Sequence, residues 1–333
     1  MKEKLWGILV HLSTNNKFPH ETEVSFDDEM WTYILQECVR VGMNTVILDI
    51  GGGIEFGSHP ELAVKGAWRR SRVRQEVKRC KELGIALIPK LNFSAGHGFW
   101  LGDYAKMIST TTYYQVCNDL IKEVYKLFDC PEYIHIGMDE EDARHVAGRP
   151  LAIFRQKSTY WHDLNFLLDC VSDTGAKPWI WSCPLFRTTE GYQANVGVND
   201  AVISPWMYHG IEKEHWVHIN SWQDYVDYYT TREPYKSMNI QFVEEDPYNV
   251  MWREKALPLL KDGYKYIPCV SSYYRHPWNA YDVFKYFKEN ADDAQILGYI
   301  TAPWVMTTPT EKSKDIYEQT FRYFKEAKDE FYG

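Results

Sequence analysis

Tyr133-Ile134-His135-Ile136-Gly137-Met138-Asp139-Glu140-Glu141-Asp142 is the stretch whose reading decides the fold. From Tyr133 to Met138 it is aromatic, β-branched or small and carries no charge; it then breaks into four consecutive acids. The first half predicts a short buried strand and the acids predict its end. Buried strands that finish in carboxylates are how a (β/α) barrel presents reactive groups at the carboxyl rim of its sheet. With Asp139 as the last strand residue, Asp139 and Glu140 start from adjacent rim positions and can differ in exposure, hydrogen bonding and acidity. The bland alternative is a solvated acidic turn, and the rest of the chain weighs against it.

Working outward, strand-length apolar runs recur at 5–12, 45–50, 85–91, 133–138, 178–181, 201–206, 266–271 and 296–304. Helical spacing lies between them. A Ser25-x-x-Asp28 start leads into Met30, Trp31, Ile34, Leu35, Cys38 and Val39, closed by Gly42. Ser71 opens a second helix through Val73, Val77, Cys80 and Leu83, ended by Gly84. Others are predicted at 112–128, through Trp161, Leu164, Leu167 and Leu168, at 250–262 and at 312–330. Eight strands alternating with helices, nearly all apolar on both faces, mean a parallel sheet covered on its outside. The fold class is therefore α/β, a (β/α)8 TIM barrel, with a doubly wound open sheet as the alternative. Residues 238–243 read as an extra strand and are assigned, with a short helix near 221–229, to a rim insertion at 209–249. No linker-like stretch or internal repeat divides the chain, so residues 1–333 are expected to form one catalytic barrel. Gly51-Gly52-Gly53 lacks the spacing and following helix of a nucleotide fingerprint and reads as a strand-end turn.

Composition narrows the function. At 45% hydrophobic and 25% charged, 333 residues can bury a sizeable core. A net charge of -9 without long Lys/Arg blocks argues against nucleic acid as a partner. No stretch is long and apolar enough to span a membrane. Seven scattered cysteines without C-x-x-C exclude a disulfide framework and a zinc knuckle, and no cofactor is expected. Met1-Lys2-Glu3-Lys4 runs into an apolar strand without a leader cleavage site. That is expected of a cytoplasmic chain, or of a periplasmic or secreted one whose leader was removed. The informative excess is 13 Trp and 24 Tyr, because sugars have flat apolar faces that rings stack on.

The residues after each strand carry the chemistry. They are His11 and Ser13, then Asp49, then Lys90, Asn92 and His97, then Asp139 and Glu140. Trp181 follows the fifth strand, Trp206 and Tyr208 the sixth, Tyr273, Tyr274 and Arg275 the seventh, and Trp304 the eighth. Three tryptophans, two acids and tyrosines at one mouth describe a sugar pocket, with an oligosaccharide or glycoconjugate as the partner. His11, His97 and His135 are the residues a metal would use, but so few imidazoles among so many rings favour the sugar reading. His135 lies inside a strand and reads as a core histidine. No G-x-S-x-G elbow presents a serine, and Cys183 reads as buried filler.

At this point Tyr133 to Glu140 resembles the His-x-Gly-Gly-Asp-Glu motif of the family 20 glycoside hydrolases, the β-N-acetylhexosaminidases. Pro89-Lys90-Leu91-Asn92-Phe93-Ser94-Ala95-Gly96-His97 resembles that family's Pro-Glu-x-Asp-x-Pro-Gly-His. Trp181, Trp206, Tyr273 or Tyr274, and Gly298 through Trp304 fall where its rim tryptophans, acetamido-binding tyrosine and last-strand Gly…Trp would be. The likeness covers nearly the whole chain, without the α/β domain that usually precedes such a barrel. It implies substrate-assisted retention, with Glu140 as general acid and then base. Asp139 would orient the 2-acetamido group whose oxygen attacks C1. A tight carboxylate pair suits this division, since it pushes the two acidities apart.

Departures are clear. Met138 replaces the second glycine and is expected to put bulk beside the acids, while Lys90 and Asn92 replace the family's Glu and Asp. Ser94-Ala95 adds a residue before Gly96, and Trp6 to His11 lacks the first-strand Arg-Gly. Two alternatives stay open: a glycan-binding barrel without catalysis, and a two-carboxylate retaining glycosidase with Asp49 or an acid from 244–246 as nucleophile.

Overall fold

A computed structural model of the chain describes residues 3–13, 22–208, 262–273 and 278–333. The readings at 209–249, including 221–229, 238–243 and 244–246, lie outside these residues, as do most of the helix at 250–262, Tyr274 and Arg275.

The described strands are β1 (Leu5–His11), β2 (Thr45–Asp49), β3 (Ala86–Lys90), β4 (Tyr133–Gly137), β5 (Lys177–Trp181), β6 (Val202–Ser204), β7 (Lys265–Tyr266), β8 (Cys269–Val270) and β9 (Gly298–Thr301). All pair in parallel, in the order β7-β6-β5-β4-β3-β2-β1-β9-β8. The two ends of that order are halves of one segment. The Ile267 amide donates to Ile203 O on one side, and the Ile300 amide donates to Pro268 O on the other, both at 2.9 Å. The sheet thus curls round and closes through residues 265–270, as a (β/α)8 barrel. The strand expected at 266–271 is split because Pro268 has no N–H to give its neighbour.

Helices cover the outside: α1 (Asp28–Arg40), α2 (Arg70–Glu82), α3 (Thr111–Leu127), α4 (Ala143–Val146), α5 (Lys157–Ser172), α6 (Cys183–Arg187), α7 (Thr189–Asn195), α8 (Asn279–Asn290) and α9 (Glu311–Tyr332). The start of α1 is capped by Asp27, whose Oδ1 accepts the Met30 amide at 2.8 Å, rather than by Ser25. The link between β5 and β6, read as turns from sequence, is built from α6 and α7.

Alternation along the strands makes two cores. Ile8, Val10, Val46, Leu48 and Ile134 face the helices in one cluster. Leu9, Ile47, Ile88, Trp179 and Ile300 fill the barrel in another. Above the inner cluster runs a polar layer in strict register, His11 opposite Asp49, Asp49 opposite Lys90, and Lys90 opposite His135. Lys90 Nζ lies 2.7 Å from Asp49 Oδ2, with both side chains about fully buried.

A second buried ionic centre holds the outer wall beside β4. The Arg155 guanidinium, fully buried, meets Glu141 at 3.2 Å and Asp163 at 2.5 Å. It also donates to Tyr113 Oη at 2.7 Å and Phe93 O at 3.2 Å. One side chain thereby joins the β3 and β4 rims to α3 and α5. Arg155→Met would strand two buried carboxylates, and such breaks cost about 3–5 kcal/mol. Denaturant unfolding should show that loss; a change under about 1 kcal/mol would contradict the assignment of Arg155 as the shared counter-ion.

Candidate active site

The site begins where β4 stops. The strand ends at Gly137 rather than at Asp139, with a register shift against β5 between His135 and Gly137. Gly137 has φ 73° and Met138 φ 65°, both left-handed. A Cβ at Gly137 would lie 2.0 Å from Asn92 Oδ1, so this position needs glycine twice over. Met138 holds the same backbone without that freedom. Its side chain is buried in the cluster that packs against the helices, and it shares with Glu140 the lining of a small cavity.

This turn separates the four acids. Asp139 Oδ1 accepts from Asn92 Nδ2 at 2.8 Å, and its Oδ2 faces His97 Nε2 at 3.3 Å. Glu140 Oε2 faces the same nitrogen at 2.7 Å, and its Oε1 faces His145 Nε2 at 3.5 Å. Glu141 turns outward, accepting from the Ala95 and Arg155 amides at 2.6 and 2.7 Å. Asp142 caps α4 through the Arg144 and His145 amides. Only Asp139 and Glu140 are left facing the mouth, and Glu141 is committed to the scaffold.

Supporting contacts fix the orientation of each group. Asn92 Oδ1 accepts from the Ser94 amide and hydroxyl, which aims its N–H groups at Asp139. Arg149 donates to Ala95 O and Gly96 O at 2.7 and 2.8 Å, holding the loop before His97. At Gly96 a Cβ would stand 2.5 Å from Glu140 O, so the glycine lets the β3 and β4 loops touch. Burial pushes the Asp139 carboxyl up, but His97, with Lys90 behind it, outweighs this and the repulsion of Glu140 and holds it at about 2. Burial likewise opposes ionisation of Asp49, yet Lys90 and His11 hold it well below the usual carboxylate range. His135 is pushed well below its ordinary value by burial and then by Lys90. Its Nδ1 accepts from the Gly137 amide at 3.0 Å, so it is a neutral core histidine.

An aromatic wall stands beside the acids. His135 contacts Trp181 with ring centres 4.7 Å apart, and Trp181 meets Trp304 at 5.9 Å. Trp304 also adjoins His11 at 5.7 Å and Tyr208 at 6.1 Å, and Tyr208 stacks on Trp206 at 5.4 Å. Trp304, like Met138 and Glu140, has a left-handed backbone, φ 51°. Tyr273 is more open, with the Lys312 ammonium over its ring.

The structure thus brings Asn92, His97, Asp139 and Glu140 together. It sets His11 and Asp49 in the polar layer below them, and Trp181, Trp206, Tyr208 and Trp304 along one side. Sequence reading passed over His145, whose signal was its Asp-x-x-His spacing from Asp142. Among the described residues, His97, Asp139 and Glu140 could also meet on one cation, each offering an atom within 4.8 Å of the others. His11 and His135 lie apart from that group. A cavity of about 250 Å³ adjoins Glu140, bordered by Met138, Lys157, Trp161 and Cys183. A wider one, about 950 Å³, opens at the amino ends of the strands near Leu5, Thr45 and Tyr133, the end of such barrels that carries stability rather than chemistry.

The architecture is that of a (β/α)8 barrel with a carboxylate pair at its carboxyl rim. Solved structures share the barrel fold, although no protein-family model and no curated protein sequence matches the chain. Dispersin B is 14% identical, with 99% of this chain and 100% of that chain covered and a TM-score of 0.58. The family 20 β-N-acetylhexosaminidase of Streptomyces coelicolor is 13% identical, covering 96% and 63%, with a TM-score of 0.61. The β-N-acetylhexosaminidase of Bacteroides fragilis is 13% identical, covering 95% and 66%, with a TM-score of 0.59. The chain spans about two thirds of those two hexosaminidases, and the likeness is one of fold.

The electrostatics give a pH signature. The Asp139 pKa is lower folded than unfolded, so its ionised form adds stability that is complete above the ordinary carboxylate pKa. That stability is lost as pH falls toward about 2, and the shift corresponds to roughly 2 kcal/mol. Asp139→Asn should flatten the acid limb of the stability profile below about pH 4. An unchanged limb would contradict the pairing with His97.

Proposed function

We propose that the chain is a retaining glycoside hydrolase acting on N-acetylhexosamine-containing glycans by substrate assistance. The observation that carries this reading is His97 Nε2 lying between two carboxylates, 3.3 Å from Asp139 and 2.7 Å from Glu140, beside a tryptophan-lined wall. The shared fold with β-N-acetylhexosaminidases supports it.

Glu140 donates its proton to the glycosidic oxygen while the substrate's acetamido oxygen attacks C1. The C1–oxygen bond breaks, and a positively charged oxazolinium forms. Asp139 suits the group that orients the acetamido and balances this charge, because its neighbours keep it ionised. Glu140, now a carboxylate, takes a proton from the water that opens the ring. Intramolecular attack replaces an encounter with a separate nucleophile, an advantage of several kcal/mol. A two-carboxylate mechanism with Asp49 is less well supported, since Asp49 is buried against Lys90 and His11. The sugar's apolar face has Trp181, Trp304, Trp206 and Tyr208 to stack on.

Glu140→Gln should cut turnover of glycosides with poor leaving groups by roughly 10²–10⁴-fold with the fold intact. Full activity in that variant would remove Glu140 from the acid role. A wild type that binds glycans but cleaves none would instead identify a binding barrel.

Matched aryl β-glycosides of N-acetylglucosamine, N-acetylgalactosamine, glucose and galactose test the assistance itself. Only the two acetamido sugars should be cleaved, with competitive inhibition by the thiazoline analogue and no loss of activity on chelation. Efficient cleavage of a plain glucoside, indifferent to the thiazoline, would sink the mechanism. Loss on chelation, restored by a divalent cation, would favour a metal at His97, Asp139 and Glu140.

A further inference from the structure

The two oxygens of Glu140 look at different imidazoles. Oε2 faces His97, which also borders Asp139, and whose side chain is 11% exposed. Oε1 faces His145 Nε2 at 3.5 Å, and the His145 side chain is 21% exposed. His145 is held in turn by Asp142, whose Oδ1 lies 2.8 Å from Nδ1 and accepts the His145 amide at 3.3 Å. A carboxylate at that distance keeps a hydrogen on Nδ1 and turns Nε2 toward Glu140. The backbone of Glu140 is left-handed, φ 48°, a conformation that has to be held by the contacts around it.

From these contacts we propose that His145, oriented by Asp142, is a positioning residue for Glu140 and acts on Oε1, the oxygen that delivers the proton. The inference rests on the acid/base reading of Glu140 above. Because Oε2 is turned to His97 Nε2, 2.7 Å away, the transferable proton is placed on Oε1. At 3.5 Å, His145 is too distant to bind that proton strongly. It is close enough to limit rotation of the carboxyl and keep Oε1 turned toward the leaving group. Once the proton has gone, the Nε2 lone pair offers the new carboxylate no hydrogen bond, so the aiming acts on the protonated form that precedes proton delivery. His97 and His145 would then divide the work: His97 holds both acids relative to each other, and His145 aims one of them.

The test compares His145→Ala, His145→Gln and Glu140→Gln on N-acetylglucosaminides whose leaving groups run from dinitrophenol to a simple alcohol. Help with proton delivery matters most for the poorest leaving group. His145→Ala should lower kcat about 10-fold on the alkyl glycoside and less than about twofold on the dinitrophenyl one, with KM little changed. His145→Gln, whose amide oxygen can stand in for the Nε2 acceptor beside Oε1, should recover most of the loss. A uniform loss across all leaving groups, with a lowered melting temperature, would make His145 merely structural and overturn the proposal. Unchanged kinetics in His145→Ala beside an inactive Glu140→Gln would overturn this inference alone. An active Glu140→Gln would overturn the acid assignment, and the role of His145 with it.

Discussion

The left-handed turn at Gly137-Met138 is the constraint on which the mouth of this barrel depends. Four carboxylates leaving a strand in extended geometry would alternate between core and mouth, with two buried beside one another. Left-handed φ at Gly137, Met138 and Glu140 breaks that alternation, leaving Asp139 and Glu140 to share His97 while Glu141 and Asp142 turn to the scaffold. A non-glycine residue in this conformation costs roughly 1–2 kcal/mol, so Met138 and Glu140 carry a penalty. Contacts offset it: Tyr160 donates to Met138 O at 3.1 Å, and Glu141 and Asp142 are anchored on Arg155 and α4. The turn is held from outside the barrel so that the inside can be polar.

Beneath the acids, Lys90 and Asn92 have a consistent electrostatic logic. Asn92 presents N–H groups to Asp139, and Lys90 places a buried cation in the same layer as Asp49. Both favour an ionised Asp139. The cation also disfavours a charged His135, which burial already keeps neutral. An isolated buried lysine would be costly; paired with Asp49 and flanked by His11, it becomes part of the floor on which the site stands.

The fold survives at 13–14% identity to Dispersin B and the two hexosaminidases because a (β/α)8 barrel asks for patterns rather than particular residues. Leu9, Ile47 and Ile88 need only be apolar and of the right size to fill the centre. Positions such as Gly137 and Gly96 are different, because there a single added carbon meets Asn92 or Glu140.

Periodicity by itself determined the barrel: apolar runs the length of strands, helical spacing between them, and acids at one strand's end. It also gathered Asn92, His97, Asp139 and Glu140 to one rim, since parallel strands bring their carboxyl ends together. Boundaries were less legible. The break at Pro268 had its signal in the proline, whereas the short helices at Cys183–Arg187 and Thr189–Asn195 lie in a stretch read only as turns. What only the tertiary structure decided was the surroundings of each acid. Asp139, Glu140, Glu141 and Asp142 are chemically alike along the chain. Their differences come from His97, His145, Arg155 and the start of α4, groups placed around them by folding. A carboxylate's acidity and direction are set by what lies within a few ångströms, and sequence spacing does not record that distance.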